Sequence, residues 1–316
     1  MNQLTQKLKS GEMVIQELPC PQGGPGLVLV RNHYSLISVG TEGSTVKTAR
    51  SSLVTKAKER PQQVKQVLKV LSTQGPVQTY RAVMKKLDSY SPLGYSSAGQ
   101  VIGITKSNSA DGHPAPLEVG DFVACAGLTA NHAEIVSVPN NLCVKLPANT
   151  NLKHAAYNTL GAIALQGIRQ ADLRLGECCA VIGLGLIGHL TCLMLKASGI
   201  RVAGIDVDPR AVETAQQHGC DIAYPRKANG IHESLDLFTH GLGFDAVIIT
   251  AGTTSLDPIN FAGAIARKQG TVVIVGAVPT GFDRDPHYYR KELQLRMSCS
   301  YGPGRYDPVY EEKGID

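Results

Sequence analysis

The sequence predicts an α/β fold in which a β-rich N-terminal domain precedes a doubly wound parallel sheet. Three observations predict it. First, the apolar run Ala180-Val181-Ile182 leads into a Gly-x-Gly-x-x-Gly motif and then a helical pattern. Second, the runs 200–206, 244–250 and 271–276 are mostly apolar, as strands buried on both faces are, and 293–301 is interpreted as a further strand. Third, residues 12–42 and 91–148 hold short strand-like runs separated by glycine and proline.

These observations divide the chain into three segments. Residues 1–152 form the β-rich domain, residues 153–302 the parallel sheet, and residues 303–316 begin a truncated return to the first domain. Residues 43–90 interrupt the first domain as a basic helical hairpin. Two apolar stripes at helical spacing, separated by Gly75-Pro76, predict its helices. They are Val64, Val67, Leu68 and Leu71, and then Tyr80, Val83, Met84 and Leu87.

The glycine motif is the main functional signal. Gly183 allows a tight turn, Gly185 lets the backbone approach a pyrophosphate, and Gly188 lets the following helix pack against the strand. Leu186 and Ile187 open that helix, whose free N–H groups attract phosphate. We predict that Leu190, Leu193, Met194 and Ala197 form its apolar face.

An acidic residue completes the dinucleotide-binding pattern. Asp206 ends the second apolar run, 23 residues after Gly183, where a carboxylate accepts from both hydroxyls of an adenosine ribose. A carboxylate repels a 2′-phosphate, so the predicted cofactor is NAD. Ligands of such sheets bind at the carboxyl ends of the strands. We therefore expect the nicotinamide half of the site to be lined by Thr250, Ala251, Gly252, Gly276 and Ala277.

Composition excludes several classes of protein. Hydrophobic residues make up 43% and charged residues 18% of the 316 residues, which excludes a largely disordered chain. No apolar run has the length of a membrane span and the N-terminus lacks a secretory pattern, so we expect a cytoplasmic protein. The eight cysteines include no Cys-x-x-Cys pair and are interpreted as free, mostly buried thiols.

The net charge of +5 is concentrated in the hairpin, which contains ten lysines and arginines but only two acidic residues. A solvated helical face is the ordinary interpretation. The alternatives are a clamp for an anionic substrate and contact with an acidic membrane surface. No aromatic interleaving accompanies the charge, so we predict no nucleic-acid binding.

Three motifs together resemble the medium-chain dehydrogenase/reductases: Val39-Gly40-Thr41-Glu42, Gly94-Tyr95-Ser96-Ser97-Ala98-Gly99, and Gly183-Leu184-Gly185-Leu186-Ile187-Gly188. The resemblance implies a GroES-like β-barrel domain followed by a Rossmann domain. More closely, the second motif, residues 159–165 and the basic hairpin resemble the first half of bi-domain oxidoreductases from bacterial polysaccharide-biosynthesis clusters. This implies that the chain is a fragment, with a further oxidoreductase domain following it or acting as a separate partner.

The sequence departs from the zinc enzymes of this family at their metal positions. The three catalytic zinc ligands of those enzymes correspond here to Val39, Tyr95 and Thr159. Neither an aliphatic side chain nor these hydroxyls are usual zinc ligands. The four-cysteine structural zinc lobe has no counterpart, since Cys125 and Cys143 stand alone in the sequence. We therefore predict no metal.

Without zinc, a side chain must handle the proton or the developing oxyanion. Tyr95 is the first candidate, because it occupies a metal-ligand position and a phenol can donate a hydrogen bond. By resemblance, Thr41 matches a proton-relay hydroxyl and Glu42 a carboxylate behind the metal ligands. The alternatives are a space-filling Tyr95 and a capped turn at Thr41-Glu42. His33 and His132 are expected only to be hydrogen-bonded.

The leading hypothesis is a zinc-independent, NAD-dependent oxidoreductase acting on an alcohol or carbonyl of a sugar-like or nucleotide-sugar substrate. One alternative is a zinc-free enone or quinone reductase using NADPH, against which Asp206 argues. The other is a non-catalytic, cofactor-bound module of a larger bi-domain protein. The sequence leaves the oligomeric state open, with a homo-oligomer among the options.

Overall fold

The architecture comes from a computed structural model that describes residues 1–51, 61–105 and 117–313. Residues 52–60 of the predicted hairpin lie outside this description. The chain divides into two compact units. Unit 1 comprises Met1–Thr159 and Val309–Asp316, and unit 2 comprises Leu160–Pro308.

Unit 1 contains two antiparallel sheets, one of three strands in the order β2-β1-β4 and one of five strands in the order β7-β3-β5-β6-β8. Alternating valines of the larger sheet, such as Val28 and Val30, face a buried core. The strands are β1 Asn2–Lys7, β2 Met13–Glu17, β3 Leu27–Ser35, β4 Tyr90–Pro92, β5 Ser96–Ile104, β6 Phe122–Ala126, β7 Ile135–Pro139 and β8 Cys143–Lys145. The β-rich domain predicted from the punctuated short runs is confirmed.

Two long helical segments separate β3 from β4 in the described part of unit 1: α1 Val39–Arg50 and α2 Pro61–Asp88. The chain breaks α2 at Gly75 (φ 78°, ψ 169°), just before Pro76, as predicted. The predicted apolar stripes are less buried than their spacing suggested. Leu68 is 56% exposed and Tyr80 67% exposed, because helical periodicity fixes which residues share a face but not what covers that face.

Unit 2 is a six-stranded parallel sheet in the order β11-β10-β9-β12-β13-β14. The chain runs outward from β9 in one direction and then returns to the other side of β9, so a crevice forms where the order reverses. The strands are β9 Cys178–Ile182, β10 Arg201–Asp206, β11 Ile222–Pro225, β12 Phe244–Ile249, β13 Ala266–Ile274 and β14 Gln294–Met297. The predicted doubly wound Rossmann sheet is confirmed.

Helices connect these strands. They are α4 Asn158–Ala171, α5 Leu186–Ala197, α6 Pro209–His218, α7 Ile231–Phe238 and α8 Asp257–Ile265. Two further helices, α3 Leu152–Ala155 and, apart from its first residue, α9 Pro308–Lys313, belong to unit 1. The side chain of Asp208 caps α6 and Gly219 ends it. None of the described helices is both long and apolar enough to cross a bilayer.

The buried face of α5 differs from the predicted one. Gly188, Thr191, Cys192 and Leu195 are buried, whereas Leu193 is 44% exposed. The helix packs through small side chains against β9 and β10 because Gly188 brings it so close to the strand. The prediction followed the larger apolar residues and therefore chose the wrong stripe.

The cysteines of the described residues are all free thiols, and most are buried. Cys125 and Cys143, which appear isolated in the sequence, are register partners across β6 and β8, with their sulfur atoms 3.9 Å apart. The contact with Cys125, together with burial, raises the pKa of the Cys143 thiol. A neutral, packed thiol pair follows, which is a core contact of unit 1.

Candidate functional site

The predicted cofactor residues of unit 2 follow the carboxyl ends of four strands. Gly183 follows β9, Asp206 ends β10, Thr250 follows β12, and Gly276 lies just after β13. The strands are parallel, so these ends meet at one edge of the sheet. The structure therefore brings these four residues to the same edge.

Three glycines of this edge occupy positions that exclude a side chain. A Cβ on Gly183 (φ +99°) would lie 2.6 Å from the Ala251 nitrogen. One on Gly188 would lie 1.9 Å from the Gly183 carbonyl oxygen, and one on Gly276 would lie 2.1 Å from the Ala251 carbonyl oxygen. Each glycine permits a close backbone approach, so the loops after β9, β12 and β13 pack directly on one another.

Gly185 has the opposite environment. A Cβ built on it would meet no atom within 4 Å, and the residue stands at the N-cap of α5 with its surface exposed. Leu186 and Ile187 begin the helix, so their N–H groups belong to its unsatisfied first turn. Open space beside a helix N-terminus fits a pyrophosphate, which is the group the sequence motif predicts there.

Hydrogen bonds fix the loop around this space. The Thr250 hydroxyl donates to the Gly183 carbonyl at 2.5 Å, and the Thr253 N–H donates to the Ala277 carbonyl at 2.8 Å. Gly252 lies exposed between them. The loops predicted to line the nicotinamide half are thus tied to each other and to the glycine turn.

Asp206 makes two backbone contacts that the sequence did not predict. Its Oδ2 accepts the Leu184 N–H at 2.5 Å, inside the glycine motif, and its Oδ1 accepts the Asp208 N–H at 2.8 Å. The carboxylate is half-buried and retains further lone pairs for a ribose. Asp206 therefore holds the turn after β9 in addition to the ribose role the motif predicts. The donor set of this edge fits a dinucleotide.

A histidine of α5 lies within the field of this carboxylate. Burial lowers the pKa of His189, and the Asp206 carboxylate opposes that shift while His218 adds to it. A lowered pKa makes the ring neutral at physiological pH.

Unit 1 holds a buried row of polar side chains around Glu42. Glu42 Oε1 accepts the Ser38 N–H at 2.7 Å, and Oε2 lies 2.9 Å from His132 Nε2. On its other side, His132 Nδ1 lies 2.8 Å from the Ser35 hydroxyl. The side chains of His132 and Glu42 are only 8% and 10% exposed. Both ring nitrogens of His132 therefore have a hydrogen-bonding partner.

The segment around Tyr95 is held by a second set of buried hydrogen bonds. The Thr159 hydroxyl donates to the Tyr95 carbonyl at 3.1 Å, and the Thr159 N–H donates to the Ser96 hydroxyl at 3.2 Å. The Asn158 amide donates to the Ser97, Cys125 and Ala155 carbonyls at 3.1–3.2 Å. These contacts fix the Tyr95 backbone. The side chain is half-buried, and within the described residues its hydroxyl makes no hydrogen bond.

Thr41 lies in the first turn of α1 and is exposed. Residues 39–42 are therefore helical, where an irregular capped turn was the alternative. Within the described part of the chain, no hydrogen bond joins Thr41 to Tyr95. Both hydroxyls nevertheless remain available to a ligand.

The three positions that correspond to catalytic zinc ligands do not fit a metal. Val39 is 80% exposed and apolar, and Thr159 is fully buried with its hydroxyl already donated to a carbonyl. Among the described residues, no group of three histidine, cysteine or acidic side chains could hold a metal ion. The donor set of unit 1 is that of a polar, hydrogen-bonded site.

Sequence reasoning missed His132, Ser35 and Asn158 as parts of this site. Glu42 and His132 are 90 positions apart, and Asn158 reaches Ser97 across 61 positions. No local spacing marks such contacts. A histidine beside Ala133-Glu134 in a strand-like run is the only signal that the sequence offers, and it does not indicate a partner.

Comparison with known proteins points to one group of enzymes. Residues 187–312 match the family model described as zinc-binding dehydrogenase. A probable D-xylulose reductase A from Arthroderma otae is 27% identical over 202 residues, which are 61% of this chain and 55% of that protein. The D-guloside 3-dehydrogenase of Escherichia coli K12 is 27% identical over 207 residues, 63% of this chain and 57% of that protein. The chain thus matches about half the length of these curated relatives.

Solved structures extend the likeness to the fold. Galactitol-1-phosphate dehydrogenase from Escherichia coli superposes with a TM-score of 0.72 at 16% identity, covering 95% of this chain and 83% of that one. At this identity the likeness concerns the fold alone. The chain therefore has the GroES-like and Rossmann fold of the medium-chain dehydrogenase/reductases, and over residues 187–312 it is similar to the zinc-binding dehydrogenases.

Proposed function

We propose that the protein is an NAD(H)-dependent oxidoreductase that acts on an alcohol or carbonyl of a sugar or sugar alcohol without zinc. The glycine edge of unit 2 carries the proposal: three glycines that admit no side chain, open space at Gly185, and Asp206 at the end of β10. The curated relatives named for D-xylulose and D-gulosides support the substrate class.

Binding of the cofactor follows from this edge. The N-terminus of α5 would receive the pyrophosphate, because its first N–H groups lack partners within the helix. Asp206 would accept from the ribose hydroxyls and would repel a 2′-phosphate. When bound, a nicotinamide supplies hydride transfer.

Residues of unit 1 would manage the proton. Tyr95 has a half-buried hydroxyl free to donate to an oxyanion or to accept the alcohol proton. Thr41 offers an exposed hydroxyl as the relay. Glu42 is assigned a supporting role, because both of its carboxylate oxygens already contact protein groups.

A binding and turnover experiment tests the proposal. The protein should bind NADH more tightly than NADPH in a fluorescence titration, and it should oxidise or reduce a member of a panel of xylitol, D-xylulose, D-gulosides and nucleotide sugars. Failure to bind either nucleotide would overturn the cofactor assignment. NADH binding without turnover would favour the alternative of a non-catalytic module, and an NADPH preference would favour the enone or quinone reductase.

Tyr95→Phe is the sharpest test of the catalytic assignment. The ring is kept and only the hydroxyl is lost, so the Kd for NADH should not change. Losing one such donor should lower kcat on the order of 10²-fold, or roughly 3 kcal/mol in the activation free energy. Steady-state kinetics with the best substrate of the panel measure this effect.

Two companion variants make the result specific. Thr41→Val removes the proposed relay hydroxyl at nearly constant volume and should also lower kcat. Tyr90→Phe is the matched control, because Tyr90 is an exposed tyrosine five positions away and outside the site. Full activity of both Tyr95→Phe and Thr41→Val would contradict the catalytic assignment and leave the cofactor assignment standing.

A further inference from the structure

The polar row Ser35–His132–Glu42 is not accounted for by the cofactor or by the residues that would handle the proton. It contains the most buried acid–base contact of unit 1 among the described residues, with the His132 and Glu42 side chains at or below 10% exposure. A buried carboxylate facing a histidine is costly to desolvate unless the pair is well placed. Here the pair connects two segments that are far apart in sequence and that both carry candidate site residues.

One end of the row fixes the start of α1. Glu42 accepts the N–H of Ser38, the residue that precedes the helix, at 2.7 Å. Thr41 is the neighbour of Glu42 in the same turn. Whatever holds the Glu42 carboxylate therefore also holds the turn that presents the Thr41 hydroxyl.

The other end fixes the turn before Tyr95. The backbone N–H of His132 donates to the Leu93 carbonyl at 2.8 Å. Gly94 (φ +95°) packs so closely on His132 that a Cβ would lie 2.9 Å from its ring carbons. The backbone of His132 thus contacts Leu93, and its ring contacts Gly94, which are the two residues that immediately precede Tyr95.

We propose that His132 is a positioning residue that couples the Thr41 turn to the Gly94-Tyr95 turn through Glu42. The proposal rests on the proposed function for its consequence in catalysis, but the coupling itself is a property of unit 1. His132 contacts neither hydroxyl directly in the described hydrogen bonds, so it acts through the placement of Thr41 and Tyr95.

The coupling is measurable without substrate or cofactor. The full chain is labelled with 3-fluorotyrosine, and the signal of Tyr95 among the eleven tyrosines is assigned from Tyr95→Phe. His132→Ala should shift or broaden the Tyr95 resonance, while the resonances of Tyr224 and Tyr288 in unit 2 remain unchanged. His33→Ala is the matched control, because His33 lies exposed on β3 and contacts Phe122 instead of Glu42.

Conservative variants separate positioning from general stability. His132→Gln places an amide near the former Nε2 and keeps a donor for Glu42, so it should return the Tyr95 resonance toward its original position. His132→Asn keeps a polar atom near Ser35 but none near Glu42, so it should not restore the Tyr95 resonance. If His132→Ala fails to fold, Glu42→Gln takes its place and should move the Tyr95 resonance in the same direction.

Kinetics supply the second readout. With a substrate from the panel, His132→Ala should lower kcat about tenfold to a hundredfold, as misplacement of reacting groups does, and leave the Kd for NADH unchanged. His132→Gln should recover most of this loss. An unmoved Tyr95 resonance in a folded His132→Ala or Glu42→Gln protein would overturn the proposal, as would unchanged kcat. A protein without turnover on any substrate would defeat the proposed function, and the fluorine spectra would still decide the coupling.

Discussion

At the scale of single residues, Asp206 holds the glycine turn by backbone hydrogen bonds, in addition to the ribose contact that the motif predicts. Its carboxylate accepts the N–H groups of Leu184 and Asp208, and it retains lone pairs toward the ribose position. The acid thus shapes the glycine turn, in addition to the cofactor selection that we propose for it. A substitution that deletes the carboxylate would confound both effects.

Asp206→Asn removes the charge and leaves one of the two backbone contacts of the turn in place. The amide keeps one acceptor for the turn but loses the charge that repels a 2′-phosphate. We expect the affinity for NADH to fall about tenfold, or roughly 1.4 kcal/mol, and the preference over NADPH to shrink. Fluorescence titrations with both nucleotides measure the two constants.

The control for this prediction is Asp208→Asn. Asp208 caps α6 two residues away, and asparagine caps a helix as well as aspartate does. Its nucleotide preference should equal that of the unchanged protein. Equal affinity of the unchanged protein for NADH and NADPH would contradict the role of Asp206.

At the scale of elements, Asp245 of β12 ties three parts of unit 2 together. Its Oδ2 accepts the Cys178 N–H of β9 at 2.8 Å, and its Oδ1 accepts Nε of Arg267 in β13 at 2.6 Å. Burial alone would raise the pKa of Asp245, but the Cys178 N–H and the Arg267 guanidinium outweigh it and hold this pKa below the usual value. The central strands are therefore joined by side chains as well as by their ladders.

This arrangement predicts an acid-sensitive contribution to stability. A depressed pKa means that the contribution is complete above the unfolded-state pKa of about 3.9 and is lost as the pH falls through the folded-state pKa. Asp245→Asn should lower the free energy of unfolding by about 1–2 kcal/mol at pH 7, and the difference should shrink near pH 3. Urea unfolding curves at both pH values measure it.

Asp172→Asn provides the comparison. Asp172 pairs with Arg174 on the exposed surface, where solvent screens the interaction. Its unfolding midpoint should match that of the unchanged protein at pH 7. If Asp245→Asn showed the same loss at pH 3 as at pH 7, the charge of Asp245 would not be the cause.

At the scale of the whole molecule, the fold is that of the medium-chain dehydrogenase/reductases, and residues 187–312 are similar to zinc-binding dehydrogenases. The positions that correspond to the catalytic zinc ligands nevertheless hold Val39, Tyr95 and Thr159. Val39 is an exposed aliphatic residue and Tyr95 is half-buried. Thr159 is buried, and its hydroxyl donates to the Tyr95 carbonyl. None of them is a usual zinc ligand. The proposed chemistry therefore depends on hydroxyl groups in place of a Lewis acid.

Elemental analysis tests this at the level of the intact protein. Purified protein should contain far less than one zinc per chain, and treatment with a mild chelator should change neither its melting temperature nor its turnover. Stoichiometric zinc that resists the chelator would contradict the zinc-independent proposal. The chelator control matters because the chain also carries two exposed cysteines, Cys20 and Cys299.

Features that depend only on neighbouring residues could be predicted from the sequence. The glycine spacing, the cap and stop of α6 and the break at Gly75 are local, because each follows from the backbone freedom or hydrogen bonding of a few consecutive residues. Apolar runs predicted the central strands β9, β10, β12 and β13 of the parallel sheet for the same reason, whereas no run was identified for β11. β1 escaped this reasoning, since Asn2–Lys7 is mostly polar and becomes a strand only by pairing with β2 and β4.

Contacts between residues that are distant in sequence depend on the tertiary structure. The packing face of α5 depends on how closely Gly188 lets the helix approach the end of β9. Half of the residues in the hairpin stripes, such as Leu68 and Tyr80, remain exposed although their spacing is helical. The Glu42–His132 pair joins residues 90 positions apart. Such contacts form because buried polar side chains need hydrogen-bonding partners, and these partners can be distant in sequence. A local sequence pattern does not identify which residue the partner is.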